Sequence, residues 1–216
     1  MILKNHLLVR YCSMNCIITG DIVGSRKIKD SWLLSLKDAL KVVSGKNGKW
    51  EIFRGDSFQV EVGLEEALKS AAYLKACIRI NKPADVRMGI GIGTIKSTKK
   101  KLSESSGDAF INSGQAFDGL KQGKTNLAIK TDIPEFDEEI NVLIKLSLIA
   151  MDSWGVVAAE MVKLALENEN HLQSELAVIS GRTQSSVSEA LKRAHFSELM
   201  EVDKLYRKKL NQIISK

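Results

Sequence analysis

Residues 86–95 read VRMGIGIGTI, a strand with glycines at 89, 91 and 93. Glycine weakens a strand, so a run this rich in it belongs where something must approach the backbone closely. The chain therefore has to build a sheet around this strand and bring a close neighbour to it. The run is no dinucleotide fingerprint, because it ends a strand without opening a helix.

The flanking segments supply that sheet. Asn15–Gly20 reads as a first strand, and Trp32, Leu33, Leu36, Leu40 and Val43 recur at helical spacing within 30–44. SGKNGK (44–49) is a turn by its glycines and asparagine. Trp50–Phe53 and Ser57–Val62 are short strands separated by Arg54, Gly55 and Asp56, which makes a tight hairpin with an acid at its tip. Leu64, Ala67, Leu68, Ala71, Leu74 and Ile78 share one face of a helix over 64–80, with Pro83 at its exit. A polar loop, 96–106, follows strand 86–95, and its lysines at 96, 99, 100 and 101 are expected to be solvated. Gly107 and Asp108 open a helix to about Leu120, and Leu127–Lys130 is a last strand. The order β-α-β-β-α-β-α-β predicts an α+β sandwich, an antiparallel-containing sheet with helices on one face. After Pro134 the pattern is helical throughout, beginning with an amphipathic helix over 135–154, so the division expected is 14–134 and 135–216.

With 216 residues, 44% hydrophobic and 27% charged, the chain can bury a full core as one large domain or two small ones. No apolar run reaches the roughly 18 residues that a membrane-spanning helix needs, and no membrane partner is expected. MILKNHLLVRYCS (1–13) has a broken apolar region and no cleavage site, so Met14 is taken as the natural start and 1–13 as a disordered or mis-assigned extension. Cys12, Cys16 and Cys77 are odd in number and match no zinc spacing, which predicts buried thiols in a reducing cytoplasm. His6, His171 and His195 are scattered, with no partner at catalytic spacing.

From Val156 onward helices and turns alternate. In HLQSELAVISGRTQSSVSEALKRA (171–194), Ser174 is expected to cap a helix holding Leu176, Ala177 and Ile179. Gly181 supplies a tight corner, and Thr183 caps a second helix with Val187, Leu191 and Ala194 inward. The segment 172–194 resembles the helix-turn-helix of bacterial regulators. That resemblance implies DNA as partner, with Arg182, Gln184, Ser185, Ser186, Ser188 and Lys192 facing it. Charge works against it: residues 151–216 carry nine basic and nine acidic side chains, so the net +6 lies in 1–150. Phosphate contacts supply much of the affinity for DNA. A dimer could compensate through Arg182, Lys192 and Arg193.

ITGDIVGSR (18–26) runs a strand into a glycine-containing turn with Asp21 at its end. If the first strand lies beside the hairpin, Asp21 and Asp56 emerge at neighbouring positions. Two close carboxylates repel unless a cation sits between them, and Mg²⁺ prefers such oxygens together with phosphates. Backbone amides of 22–24 could face the same phosphates. Acids capping turns in a purely structural way remain the alternative.

DIVGS (21–25), RGDSF (54–58), RMGIGIG (87–93) and GDAF (107–110), in that order, resemble the framework of class III nucleotide cyclase domains, relatives of the polymerase palm. ITGDIVGSR with RGDSFQVEV and a C-terminal helix-turn-helix is similar, more closely still, to the SatD-like family of small bacterial proteins. The resemblance implies a ferredoxin- or palm-like cyclase-type sheet over 14–131. It implies Asp21 and Asp56 as ligands of Mg²⁺ or Mn²⁺, and Ile22, Val23, Gly24, Ser25 and Arg54 around a nucleotide-like ligand. It also implies a homodimer. The transition-state Asn and Arg of cyclases fall on Ile111 and Gln115, or on Asn112 and Ala116, and the base-reading Lys falls on Ile52. Neither alignment provides the Arg, a loss worth orders of magnitude in rate. The leading expectation is a cytoplasmic DNA-binding transcriptional regulator whose first domain binds such a ligand or dimerises. An active Mg-dependent cyclase or nucleotidyl transferase, and a catalytically dead palm used for interaction, are the alternatives.

Overall fold

A computed structural model of the chain describes residues 14–25, 31–46, 48–96 and 102–214. The expectations for 1–13, Cys12, the helix start at Asp30 and the lysines at 99–101 lie outside the described residues. Strand β1 (Met14–Val23) is central, pairing antiparallel with β3 (Ser57–Val62) on one side and β4 (Asp85–Thr94) on the other. β2 (Trp50–Phe53) adds outside β3, and β5 (Leu127–Lys130) runs parallel to β4, giving the order β2-β3-β1-β4-β5. The first helices are α1 (Ser31–Ser44), α2 (Ala67–Arg79) and α3 (Asp108–Gly123), the last being the crossover that a parallel β4–β5 pair requires. β1-α1-β2-β3-α2-β4, with β1 between β3 and β4, is a split β-α-β arrangement. The helix expected over 64–80 begins instead as a separate 3₁₀ turn, Leu64–Glu66.

Side chains alternate across the sheet, and the two faces differ. Ile18 and Ile22 of β1, Phe58 and Val60 of β3, and Val86, Met88 and Ile90 of β4 are buried against Leu36 and Leu40 of α1 and Leu74 and Ile78 of α2. The other face of β4 is bare glycine, and α3 rests on it. A Cβ at Gly91 would lie 2.1 Å from the Ser113 nitrogen and 2.2 Å from the Ala109 oxygen; one at Gly89 would lie 2.4 Å from the Phe117 nitrogen. The buried Asn112 donates its amide to the Ile92 carbonyl at 2.8 Å, and the Thr19 and Ser113 hydroxyls share a 2.9 Å hydrogen bond. Helices therefore cover both faces, not the single face expected, because the glycine strip offers a second surface flat enough for a helix.

Five helices follow: α4 (Pro134–Met151), α5 (Val156–Glu167), α6 (Gln173–Ser180), α7 (Gln184–Arg193) and α8 (Phe196–Ile214). Phe136, Ile140, Ile144 and Leu148 of α4 and Tyr206 and Leu210 of α8 join the core formed with α1 and α2, so one core runs past Pro134. The Tyr206 hydroxyl, buried, donates to the Leu64 carbonyl at 2.6 Å. A buried cation fixes the corner between α4 and α5. Lys75 of α2, 1% exposed, bonds Asp85 at 2.8 Å and Asp152 at 2.6 Å. Arg79 bonds Asp85 at 3.0 Å and donates to the carbonyls of Asp152 and Trp154. The Trp154 indole in turn donates to the Ala194 carbonyl at 3.0 Å, at the end of α7. Cys16 and Cys77 are buried free thiols, and burial pushes the Cys77 thiol up to about 12. Among the described residues no helix is long and apolar enough to cross a membrane.

The glycine strip gives a sharp test. Gly91→Ala has no flexible atom to displace, only the α3 backbone, so a loss of about 3 kcal/mol or more is expected in urea unfolding. Ala in place of Gly114, whose Cβ would meet open space, is expected to be neutral or mildly stabilising.

Candidate functional site

Asp21 stands near the C-terminal end of β1, opposite Ser57 on β3 and Arg87 on β4. Residues in register across an antiparallel pair share a face, so Arg87 and Asp21 meet. Arg87 holds the carboxylate as a fork, Nε to Oδ1 at 2.9 Å and Nη2 to Oδ2 at 2.5 Å, the bidentate geometry that makes such pairs strong. Asp56, at the hairpin tip, accepts the Ser25 hydroxyl on Oδ2 at 2.9 Å, and its carbonyl accepts the Ile22 N–H at 3.1 Å. The hydrogen bond that Arg87 donates to Asp21 is the main cause that holds its guanidinium above its ordinary value; burial opposes it, and the charges of Asp21 and then Asp56 add to it. Asp21 thus has a cation of the protein's own, and Asp56, bonded to Ser25 and Ile22 at the same end of β1, adds to the field on that arginine.

This placement limits the ligands the site can take as it stands. Both Asp21 oxygens are taken by Arg87, and Ile22 has spent its N–H on Asp56. Among the described residues no three His, Cys, Asp or Glu side chains gather as a metal cage. Arg87 occupies one lone pair on each Asp21 oxygen, so an ion bound there would share the carboxylate with the guanidinium. Gly24 turns the chain out of β1 with φ +82°, a conformation that favours glycine, and Arg54 is exposed on the hairpin. Of the cyclase-aligned positions, Ile111 and Gln115 face solvent, Asn112 is spent on the β4 backbone, Ala116 is buried and Ile52 packs against the core. Arg87 was not among the expected site residues, although it opens the RMGIGIG motif; its place in β4, on the face that the glycines share, was the further signal.

The second cluster is the α6–α7 corner. Gly181 closes α6 with φ +64°, and the Arg182 N–H donates back to the Ala177 carbonyl at 3.0 Å. Thr183 caps α7, its hydroxyl accepting the Ser186 N–H at 3.2 Å. At the start of α6 the expected cap is displaced: Glu175 accepts the Leu172 N–H at 2.6 Å, and Ser174 lies inside the first turn. Val187, Ala190 and Leu191 of α7 pack with Leu176 and Ala177 of α6 and Met161 and Ala165 of α5. Gln184, Ser185, Ser188 and Lys192 are exposed on its outer side, and Ser186 is half-buried. Arg182 pairs at the surface with Glu160 at 3.0 Å, and Arg193 pairs with Glu189 at 2.7 Å.

The Arg87–Asp21 pair is testable by itself. The side chains are 36% and 20% exposed, so solvent screens part of the attraction. Arg87→Ala is expected to cost about 1–2 kcal/mol in urea unfolding, and Asp21→Asn on that background to recover part of the loss by removing the unpaired charge.

The model of the SatD family matches residues 15–210, nearly the whole chain. No curated protein matches it.

Proposed function

The chain belongs to the SatD family, and from its geometry we propose a DNA-binding regulator that meets the duplex with α7. One observation carries this reading: α7 is divided lengthwise. Val187, Ala190 and Leu191 lock it to the corner, while Gln184, Ser185, Ser188 and Lys192 stand free of the core on the other side. Short polar side chains on one face of a helix after a tight corner are what base edges in a major groove require. Gln184 stands at the helix start, where recognition helices make their base contacts, and Lys192 is placed for a phosphate. Arg182 and Arg193 are engaged within the protein, which leaves the phosphate term small and makes affinity depend on a second copy.

Binding is measured by fluorescence anisotropy on genomic fragments across a salt series. Affinity is expected to fall with salt; Lys192→Ala should lower the salt slope by about one, and Gln184→Ala should cost about 1–3 kcal/mol on the preferred site. No binding at low salt overturns the reading.

The sheet end around Asp21, Asp56 and Arg87 supports a companion role as a ligand site of the palm- or cyclase-like type. Arg87 is the group there that an anionic, phosphate-bearing ligand would engage. Catalysis is not part of this reading, because the aligned positions offer no cation for a transition state. Incubated with Mg²⁺ or Mn²⁺ and each nucleoside triphosphate, the protein is expected to release no pyrophosphate. Release that disappears in Asp21→Ala and Asp56→Ala would establish the enzyme instead.

A further inference from the structure

Helices α2, α5, α6, α7 and α8 do not close on one another completely. Where they meet they leave a cavity of about 420 Å³, within the range of roughly 300–1,000 Å³ that small-molecule sites occupy. Leu176 of α6, Leu191 of α7, and Phe196 and Met200 of α8 give it an apolar wall. Asp203, Lys204 and Arg207 of α8 line it too, with Lys69 of α2 and His171 just before α6.

These polar groups are unequally engaged. Lys69 is paired with Glu66 and Glu169, and Arg207 with Glu66 and Asp203. Lys204 is exposed and has neither an ion pair nor a hydrogen bond from its side chain among the described residues. Asp203 is the opposite case, 6% exposed. Its Oδ2 accepts the Arg207 Nε at 2.6 Å, while its Oδ1 is buried with no partner. A buried carboxylate oxygen left unpaired is costly, and a donor brought to it recovers that cost. Asp203 also borders a void of about 20 Å³, with room for a single water at most. Of the two spaces, the larger alone admits an organic molecule.

We propose that this cavity binds a small anionic molecule with an apolar body and an N–H or O–H group. Each part answers a lining group. Lys204 offers the anion a charge that no acid of the chain has claimed. Leu176, Leu191, Phe196 and Met200 withdraw the body from water. The N–H or O–H supplies the partner that Asp203 Oδ1 lacks. A cationic ligand would meet Lys69, Lys204 and Arg207 together, and a wholly apolar one would leave Asp203 Oδ1 unpaired. The inference rests on neither the DNA reading nor the site at Asp21.

The probe 8-anilinonaphthalene-1-sulfonate has this composition: a sulfonate, aromatic rings and an N–H, with fluorescence that rises when the rings leave water. Titrated into the full chain, it is expected to bind saturably, with one molecule per chain. Lys204→Ala should weaken binding about tenfold by removing the cation. Asp203→Asn should weaken it about fivefold or more, because the amide oxygen stays with Arg207 and the NH₂ then faces the probe's own N–H. Thermal midpoints taken alongside separate a lost site from a lost fold, and Lys204, being exposed, keeps the test open if Asp203→Asn unfolds. Leu146→Glu, in the separate groove between α4 and α8, is the control and should bind as the wild type does. Competition against the probe by indole-3-acetate or by adenosine monophosphate tells a carboxylate head from a phosphate one. No saturable signal, displacement by neither competitor, or binding left intact by both cavity variants overturns the proposal. An equal loss in Leu146→Glu overturns it too.

Discussion

Helix α3 rests on bare backbone, and the layout of the molecule follows from that seat. Without side chains at Gly89, Gly91 and Gly93, the helix comes close enough for Asn112 to reach the Ile92 carbonyl and for Ser113 to reach Thr19. Being seated there, α3 covers mainly β4, β5 and part of β1. The sheet is thus sheathed at one edge of this face, while the end holding Asp21 and Arg87 keeps some access to solvent. Any side chain in the strip would lift the helix and unmake those hydrogen bonds. The glycines that announce a close neighbour in the sequence serve the seating of a helix.

Much of the architecture was legible because it rests on local patterns. The glycines at 89, 91 and 93 announced a close neighbour, the three-residue gap at 54–56 fixed the hairpin, and Gly181 with Thr183 marked the corner and its cap. What stayed hidden depends on register and long-range pairing. That α3 lies opposite α1 and α2 follows from which face the glycines take, and strand composition does not state it. Arg87 escaped notice because its partner is 66 positions away, and only the β1–β4 register brings the two together. Asp21 carries its own counter-charge in Arg87, while Asp56 bonds Ser25 and Ile22 at the same end of β1. Ser174 lost the cap of α6 because Glu175 bonds the Leu172 N–H from within the first turn.

The two halves of the chain are joined by charge as well as by apolar burial. Lys75 is withdrawn from water and is tolerated there because Asp85 and Asp152 meet it from two different elements. Nearby, Arg207 of α8 bonds Glu66 at 2.9 Å and Asp203 at 2.6 Å, and Lys69 bonds Glu66 and Glu169. Burial by itself would raise Glu66, but the hydrogen bonds from Lys69 and Arg207 outweigh it and hold this carboxyl below its ordinary value. Such pairs demand particular geometry, and here they tie α8 and α2 to the turn at Leu64–Glu66.

One route through these bonds is continuous. β4 carries Arg87 and, two residues earlier, Asp85; Asp85 is gripped by Lys75 and Arg79; Arg79 grips the carbonyl of Trp154; and the Trp154 indole grips the last turn of α7. Every joint is a directed polar bond between groups that are largely buried, with no slack linker along the way. The molecule is in this respect braced: the strand that carries the arginine and the end of α7 are tied by one unbroken run of bonds.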